Sequence, residues 1–450
     1  MKQPNVIFFF TDQQRWDSTG LHGNPLGLTP NLDRVARENL HISRCFTPQP
    51  VCTPARACLQ TGRYATATGC TRNGRRLPVT LPTLASCFQS AGYATGYVGK
   101  WHLAGADSPR GPVAPDRRGG YETWLGANAL ESVSDAYHCR VYGQSGEEVL
   151  LPGYRVDALT DAAIRYVEKQ RDHPFLLFLS FLEPHQQNHR DDFPAPTGYT
   201  ERYQGRWTPP DLQALGGSTA RHLGGYWGMV RRLDEAYGRL LDALRSLGLL
   251  ENTIVVFTSD HGCHFRTRNA EYKRSCHEAS IRVPGVISGP GFKGRGEFAG
   301  LVSLIDLMPT VLDAAGVPVP EGLDGRSLLP VLRGEAPPAE ALYVQITERG
   351  VGRCVRTGRW KYCVWGEGSE SDQASRYTET HLYDLEADPY ELDNRLYSPA
   401  HEAVRQRMRA LLKAKMCEAG EPEAEIIPAQ ASPGTVIPRD LRVEEAEVGL

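Results

Sequence analysis

The chain reads as an α/β fold: a large, mostly parallel sheet flanked by helices, followed by a smaller C-terminal α+β unit. Three observations predict it. Apolar runs at Val6–Thr11, Phe175–Leu182 and Thr253–Thr258 lack the in–out alternation of a half-solvated sheet, as strands covered on both faces do. Helical patterns alternate with these runs, which implies strand–helix–strand units. After about residue 335 the texture changes to short strands and one helix.

In chain order, Val6–Thr11 is the first strand, rich in β-branched and aromatic residues. Leu32–Asn39 reads as a helix. Thr83–Ala91 reads as a helix ended by Gly92, with a strand at Tyr93–Val98. Tyr154–Lys169 places Val156, Leu159, Ala163, Ile164 and Val167 near helical spacing. Phe175–Leu182 is the next buried strand. Tyr226–Leu247 carries Met229, Val230, Leu233, Tyr237, Leu240, Leu241 and Leu244 along one face. Gly248 ends it, and Thr253–Thr258 follows as a strand. Ala341–Thr347, Gly352–Thr357 and Trp360–Val364 read as short strands, and Glu402–Lys415 as an amphipathic helix. The expected division is a large domain over 1–335, an α+β subdomain over 336–419, and a loosely held tail over 420–450, rich in Pro, Glu and Ala.

Composition excludes several classes. Hydrophobic residues make up 40% and charged residues 23% of the 450, ordinary for a globular protein. A formal charge of −3 gives no bulk attraction to nucleic acid or anionic lipid. No apolar stretch approaches the roughly 18–20 residues of a membrane span. The run Val6–Phe10 is too short for a signal-peptide core and passes at once into Thr11-Asp12, so no export signal and a cytoplasmic location are expected. Eleven scattered cysteines without a Cys-x-x-Cys pair fit a reducing compartment and argue against a local zinc knuckle.

In such sheets reactive groups collect at the carboxyl ends of strands. The polar residues after apolar runs are Asp12, Lys100, His185 and Asp260. A further stretch stands out: Cys52-Thr53-Pro54-Ala55-Arg56-Ala57-Cys58-Leu59-Gln60-Thr61-Gly62-Arg63. It resembles the sulfatase signature of Cys-x-Pro-x-Arg followed by Leu-x-Thr-Gly-Arg, with Ala55 where that family more often has Ser. Gly99-Lys100-Trp101-His102-Leu103, Glu183-Pro184-His185 and Asp260-His261-Gly262 resemble further family segments. Lys273, Glu278 and Val283-Pro284 keep the family register beyond them. Asp306-Leu307-Met308-Pro309-Thr310, Gly325-Arg326-Ser327-Leu328 and Leu382–Glu391 extend the likeness to about Arg395.

The resemblance implies an alkaline-phosphatase-like fold and hydrolysis of a sulfate ester, with residues 1–335 as the catalytic domain. It implies that a maturation enzyme, the formylglycine-generating enzyme, oxidises Cys52 to formylglycine. The hydrated aldehyde attacks sulfur through one hydroxyl, and loss of the second hydroxyl's proton releases sulfate. By the same likeness one divalent cation, calcium foremost with magnesium or manganese as alternatives, is held by Asp12, Gln13, residue 52, Asp260 and His261. Gln13 stands where many relatives have a second Asp, and His261 binds the metal or the transferred group. Lys100, His185 and Lys273 would contact sulfate oxygens. His102 would hold the diol or take its proton, and Arg56 would support the hydroxyl. The leaving alkoxide's proton would come from His185, with Lys273 as rival.

Each residue also has a plainer reading: Cys52 as a buried thiol, Asp12 as a helix cap, the others as surface or satisfied core groups. Phe265-Arg266-Thr267-Arg268-Asn269 departs from the family's Leu-Gly-x-His-Gly and makes the rim more basic, for substrate or merely as surface. Gln186–Asp192, Arg72, Asn73, Arg75, Arg76, Arg117, Arg118 and His138 are candidate specificity groups for a sulfated saccharide. Two other readings stand beside the sulfatase: a phosphonate monoester or phosphodiester hydrolase of the same superfamily, and a non-catalytic binder of anionic glycans with Cys52 unmodified. No oligomeric state can be read.

Overall fold

A computed structural model describes residues 3–108, 110–348, 350–366 and 372–430. Its spine is a ten-stranded sheet in the order Gly296–Phe298, Leu40–Ile42, Gly285–Ser288, Thr253–Ser259, Asn5–Thr11, Phe175–Ser180, Ala94–Lys100, Thr123–Ala127, Cys139–Tyr142, Glu148–Leu151. The five strands from Thr253–Ser259 to Thr123–Ala127 run parallel. Antiparallel pairings flank this core on both sides, so the sheet is mixed, with its parallel part at the centre.

The Asn5–Thr11 strand is fully buried between two parallel neighbours, Val6 pairing with Leu176 on one side and Ile254 on the other. Its alternate side chains enter different cores. Val6, Phe8 and Phe10 join Tyr97, Trp101 and Leu307 on one face. Ile7 and Phe9 join Leu159, Leu233 and Tyr237 on the other. That two-sided burial is why the run is apolar throughout.

The Thr219–Ser246 helix starts seven residues before the predicted Tyr226. Gly224, Gly225 and Gly228 hide its first turns from a propensity reading. They are there for close packing: a Cβ on Gly225 would come within 2.2 Å of the Phe193 carbonyl oxygen.

The C-terminal unit is a five-stranded sheet in the order Ala341–Ile346, Val351–Thr357, Trp360–Gly366, Arg376–Asp384, Glu425–Ile427. The Glu402–Glu418 helix lays Met408, Leu412 and Met416 against it. The expectation of a loose tail from residue 420 fails at its start. Glu425–Ile427 pairs with the Arg376–Asp384 strand, and the buried Glu421 carboxylate meets Arg353 Nε at 2.7 Å. The rest of that stretch, 431–450, lies outside the described residues. Among the described residues no helix is long and apolar enough to cross a membrane.

Candidate active site

Parallel strands deliver the site at their carboxyl ends. Asp12 follows Asn5–Thr11, Lys100 ends Ala94–Lys100, His185 follows Phe175–Ser180, and Asp260 follows Thr253–Ser259. Lys100 owes its place to the residue before it. Gly99 has φ +108°, and a Cβ there would sit 1.8 Å from the Ser180 carbonyl oxygen, so only glycine lets the two strands approach. His102 and Gln13 take left-handed φ values of 61° and 67°, a cost of the kind concentrated at functional sites.

Cys52 opens the Cys52–Thr61 helix, and Gly62 closes it in a left-handed C-cap whose amide bonds the Cys58 carbonyl. Asp324 and Gly325 then donate their amides to the Gly62 carbonyl. The Thr-Gly part of the motif is thus architecture. It anchors a helix whose positive end bears on residue 52. Around the sulfur stand Lys273 Nζ at 3.0 Å, His261 Nε2 at 3.4 Å, Lys100 Nζ at 3.7 Å and Asp12 Oδ1 at 3.8 Å. Burial raises the Cys52 thiol, but Lys100, Lys273 and His261 outweigh it and hold the group well below its usual value.

The two carboxylates are tied together by Arg56. Its Nη2 reaches Asp12 Oδ2 at 2.9 Å and its Nε reaches Asp260 Oδ2 at 3.2 Å, while Nη1 donates to Lys100 O and Ser180 Oγ. The expected role of Arg56 therefore shifts: its guanidinium is spent on Asp12 and Asp260 rather than on residue 52. Burial and Cys52 raise Asp12, yet Lys100, His185 and Arg56 keep it well below the ordinary carboxylate range. Burial and the charge of Asp12 push Asp260 up to about 6. The two carboxylates, bridged by Arg56, could also hold a metal cation.

The donor set suits one. Oxygen, nitrogen and sulfur atoms of Asp12, Asp260, His261 and Cys52 lie within 4.8 Å of one another. Gln13 Oε1 is buried without a hydrogen-bond partner, while its Nε2 donates to Gln186 Oε1 at 2.7 Å. Such an amide oxygen, on a residue whose backbone amide bonds Asp260, could serve a hard divalent cation. His261 places Nδ1 2.9 Å from the Gly262 carbonyl oxygen, which assigns its proton there and leaves Nε2 free to accept.

Of the remaining expected groups, Lys273 Nζ lies 3.1 Å from His185 Nε2 and 3.2 Å from His261 Nε2. His185 Nδ1 donates to Gln186 O at 2.7 Å, so its Nε2 is the acceptor. Burial and the Lys273 charge lower His185 from its ordinary value. Sequence reasoning missed Glu131. It is buried, with Oε2 3.2 Å from Lys100 Nζ and Oε1 3.9 Å from His102 Nδ1. Lys100 and His102 overcome its burial and bring it down to about 2. Its segment, Ala129-Leu130-Glu131-Ser132, carries no motif that could have marked it.

A cavity of about 390 Å³ opens onto Cys52, lined also by His102, Glu131, His185 and Lys273. Asn73, Gln186, Asn188 and Arg266 line it as expected, joined by Asp191, Tyr272 and Arg274, which were not all foreseen. Other expected specificity groups have structural work. Arg72 bonds Asp372, Arg117 bonds Asp107, Arg118 stacks on Trp124, and Arg268 donates to Tyr390 O. Glu278, on the short Glu278–Ile281 helix, pairs with Lys361 of the C-terminal sheet at 2.7 Å.

A nucleophile position at a helix start, flanked by two lysines and backed by paired carboxylates, defines an enzyme site for transfer of an anionic group. The chain belongs to the sulfatase family, whose profile matches residues 4–317, and is a sulfuric ester hydrolase. The C-terminal profile of N-sulphoglucosamine sulphohydrolase matches residues 270–418. The chain is 33% identical over 441 residues to the ulvan-active sulfatase of Formosa agariphila, covering 93% of this chain and 82% of that one. It is 26% identical to the N-acetylglucosamine-6-O-sulfatase of Bacteroides thetaiotaomicron, with coverages of 90% and 85%. A solved enzyme in complex with its substrate D-glucosamine-2-N,6-O-disulfate superposes with a TM-score of 0.75 at 25% identity, covering 93% and 98%.

Proposed function

We propose that this sulfatase removes sulfate from a sulfated carbohydrate, using formylglycine made from Cys52 and one divalent cation. The observation that carries the reading is the setting of residue 52: Lys273 Nζ at 3.0 Å and Lys100 Nζ at 3.7 Å, with Asp12 and Asp260 behind it, at the base of an open polar cavity. Three relatives whose names or ligands specify ulvan, N-acetylglucosamine 6-sulfate and a glucosamine disulfate support a saccharide substrate.

Asp12, Gln13, Asp260 and His261 would hold the cation, calcium foremost and magnesium or manganese otherwise. Bound there, it supplies a field that acidifies an oxygen nucleophile and polarises a sulfuryl oxygen. The formylglycine, installed by a formylglycine-generating enzyme, supplies that oxygen and a release step that a serine lacks. Arg56 keeps the two carboxylates in place. Lys100 and Lys273 present fixed charge to the non-bridging oxygens of a sulfuryl group at residue 52. Asp12 and Glu131 hold the Lys100 ammonium, and burial fixes it without solvent reorganisation. His102, beside residue 52 and Glu131, is placed to take a proton from that residue.

The proton for the leaving sugar oxygen is best assigned to Lys273. Its Nζ donates to His185 Nε2 and stands 3.0 Å from Cys52 Sγ, while burial and that same ammonium lower His185 from its ordinary value. Lys273 takes the role first given to His185, with His185 as its acceptor and guide.

Rates of the matured enzyme on sulfated mono- and disaccharides, an aryl sulfate, a phosphodiester and a phosphonate monoester test the reading. A sulfated saccharide should lead. A large lead for either phosphorus ester would overturn it in favour of the phosphonate or phosphodiester alternative.

A further inference from the structure

Three residues from distant parts of the chain meet away from the catalytic cluster. Cys363 and His381 are directly opposed on neighbouring strands of the C-terminal sheet, Trp360–Gly366 and Arg376–Asp384. Cys276 approaches them from the catalytic domain, three residues beyond Lys273. Its Sγ lies 4.0 Å from His381 Nδ1, and one donor atom from each of the three lies within 4.8 Å of the others. Cys276 and Cys363 are buried, and His381 is half-buried.

We propose that Cys276, Cys363 and His381 form a second metal site, which takes a thiophilic divalent cation of the Zn2+ type. Two sulfurs and one imidazole are softer than the carboxylate and amide oxygens around Asp12, so the two sites select different metals. Tetrahedral zinc with ordinary bond lengths spans about 3.6 Å from sulfur to nitrogen and about 3.8 Å from sulfur to sulfur. The Cys276–His381 separation of 4.0 Å needs to close by about 0.4 Å, and no pair needs to close by more than about 1.2 Å. A cavity of about 310 Å³ is lined by Cys276, His277 and His381, which would give an ion a way in. His277 Nδ1 is buried without a hydrogen-bond partner among the described residues, on the same wall.

Binding would release both thiol protons and leave two thiolates on the metal. It would also tie the segment that carries Lys273 to the C-terminal sheet. The absence of a Cys-x-x-Cys pair argues only against a local knuckle, because these ligands are gathered by sheet register.

Co2+ titration of the full chain in a Cys52→Ala background, reduced beforehand, tests the proposal with the catalytic thiol removed. One equivalent should give thiolate-to-cobalt charge-transfer absorption. The band should vanish in Cys276→Ser, Cys363→Ser and His381→Gln, and Zn2+ should displace the cobalt and raise the thermal midpoint. Circular dichroism checks that each variant folds, and His381→Gln, at the half-buried position, is the mildest of the three. A folded protein without the band overturns the site. So does a band that persists in the Cys276→Ser or Cys363→Ser variants, or a Cys276–Cys363 disulfide in protein kept under reducing conditions.

Discussion

Lys273 Nζ lies 3.0 Å from Cys52 Sγ, although the two residues are 221 positions apart. Among the described residues no carboxylate pairs with it, and its other close partners are the imidazoles of His185 and His261. The ammonium is therefore aimed at whatever residue 52 carries. Lys273→Ala should lower kcat on the order of 10²–10³-fold, the usual scale for a lost charge-stabilising donor. If Lys273 also supplies the leaving-group proton, the loss will be much larger for sugar sulfates than for nitrophenyl sulfate, whose leaving group needs no proton. His185→Ala should show the weaker leaving-group dependence of the two. Steady-state kinetics across a series of esters checks both points, and equal losses on all esters would remove the proton role.

Asp260 shares Arg56 with Asp12 and accepts the amides of Gln13 and His261 at 3.0 and 2.9 Å. Asp260→Ala should bring metal content well below one ion per chain, with turnover falling in parallel. Elemental analysis of the dialysed, folded variant is the check. Full metal content would show that the cation is held elsewhere.

Glu421 is buried against Arg353 and also accepts from Tyr343 and Gln345 at 2.7 and 2.6 Å. Removing one member of such a pair strands the other charge. Glu421→Ala should destabilise the fold by about 3–5 kcal/mol, seen as a lower midpoint in thermal or urea unfolding. A midpoint within error of wild type would mean that this segment is as loosely held as its composition suggests.

Much of the site was legible because it is local. Cys52, Pro54, Arg56 and the Thr61-Gly62-Arg63 turn sit on one helix and its cap, and Asp12, Lys100 and Asp260 follow runs whose two-sided burial shows in their composition. What was not legible depends on long-range packing. Glu131 matters only because folding sets it against Lys100. The Arg376–Asp384 strand was missed because the buried Glu379 breaks its apolar pattern, and that carboxylate is satisfied by Tyr362 and Arg409 from elsewhere. The start of the Thr219–Ser246 helix was hidden by glycines that serve its neighbour rather than the helix itself. The motif names Arg56 without saying which atoms it meets, and only folding shows its guanidinium on Asp12 and Asp260.

The most direct measurement couples the mass of the peptide containing Cys52 to turnover. Preparations made with and without a formylglycine-generating enzyme should differ by the exchange of the thiol and one hydrogen for a carbonyl oxygen. The rate per chain should rise in proportion to the converted fraction and extrapolate to zero for the unconverted thiol, as it should for a folded Cys52→Ala variant. Turnover at the full rate with residue 52 unconverted or replaced by alanine would contradict a nucleophile at this position.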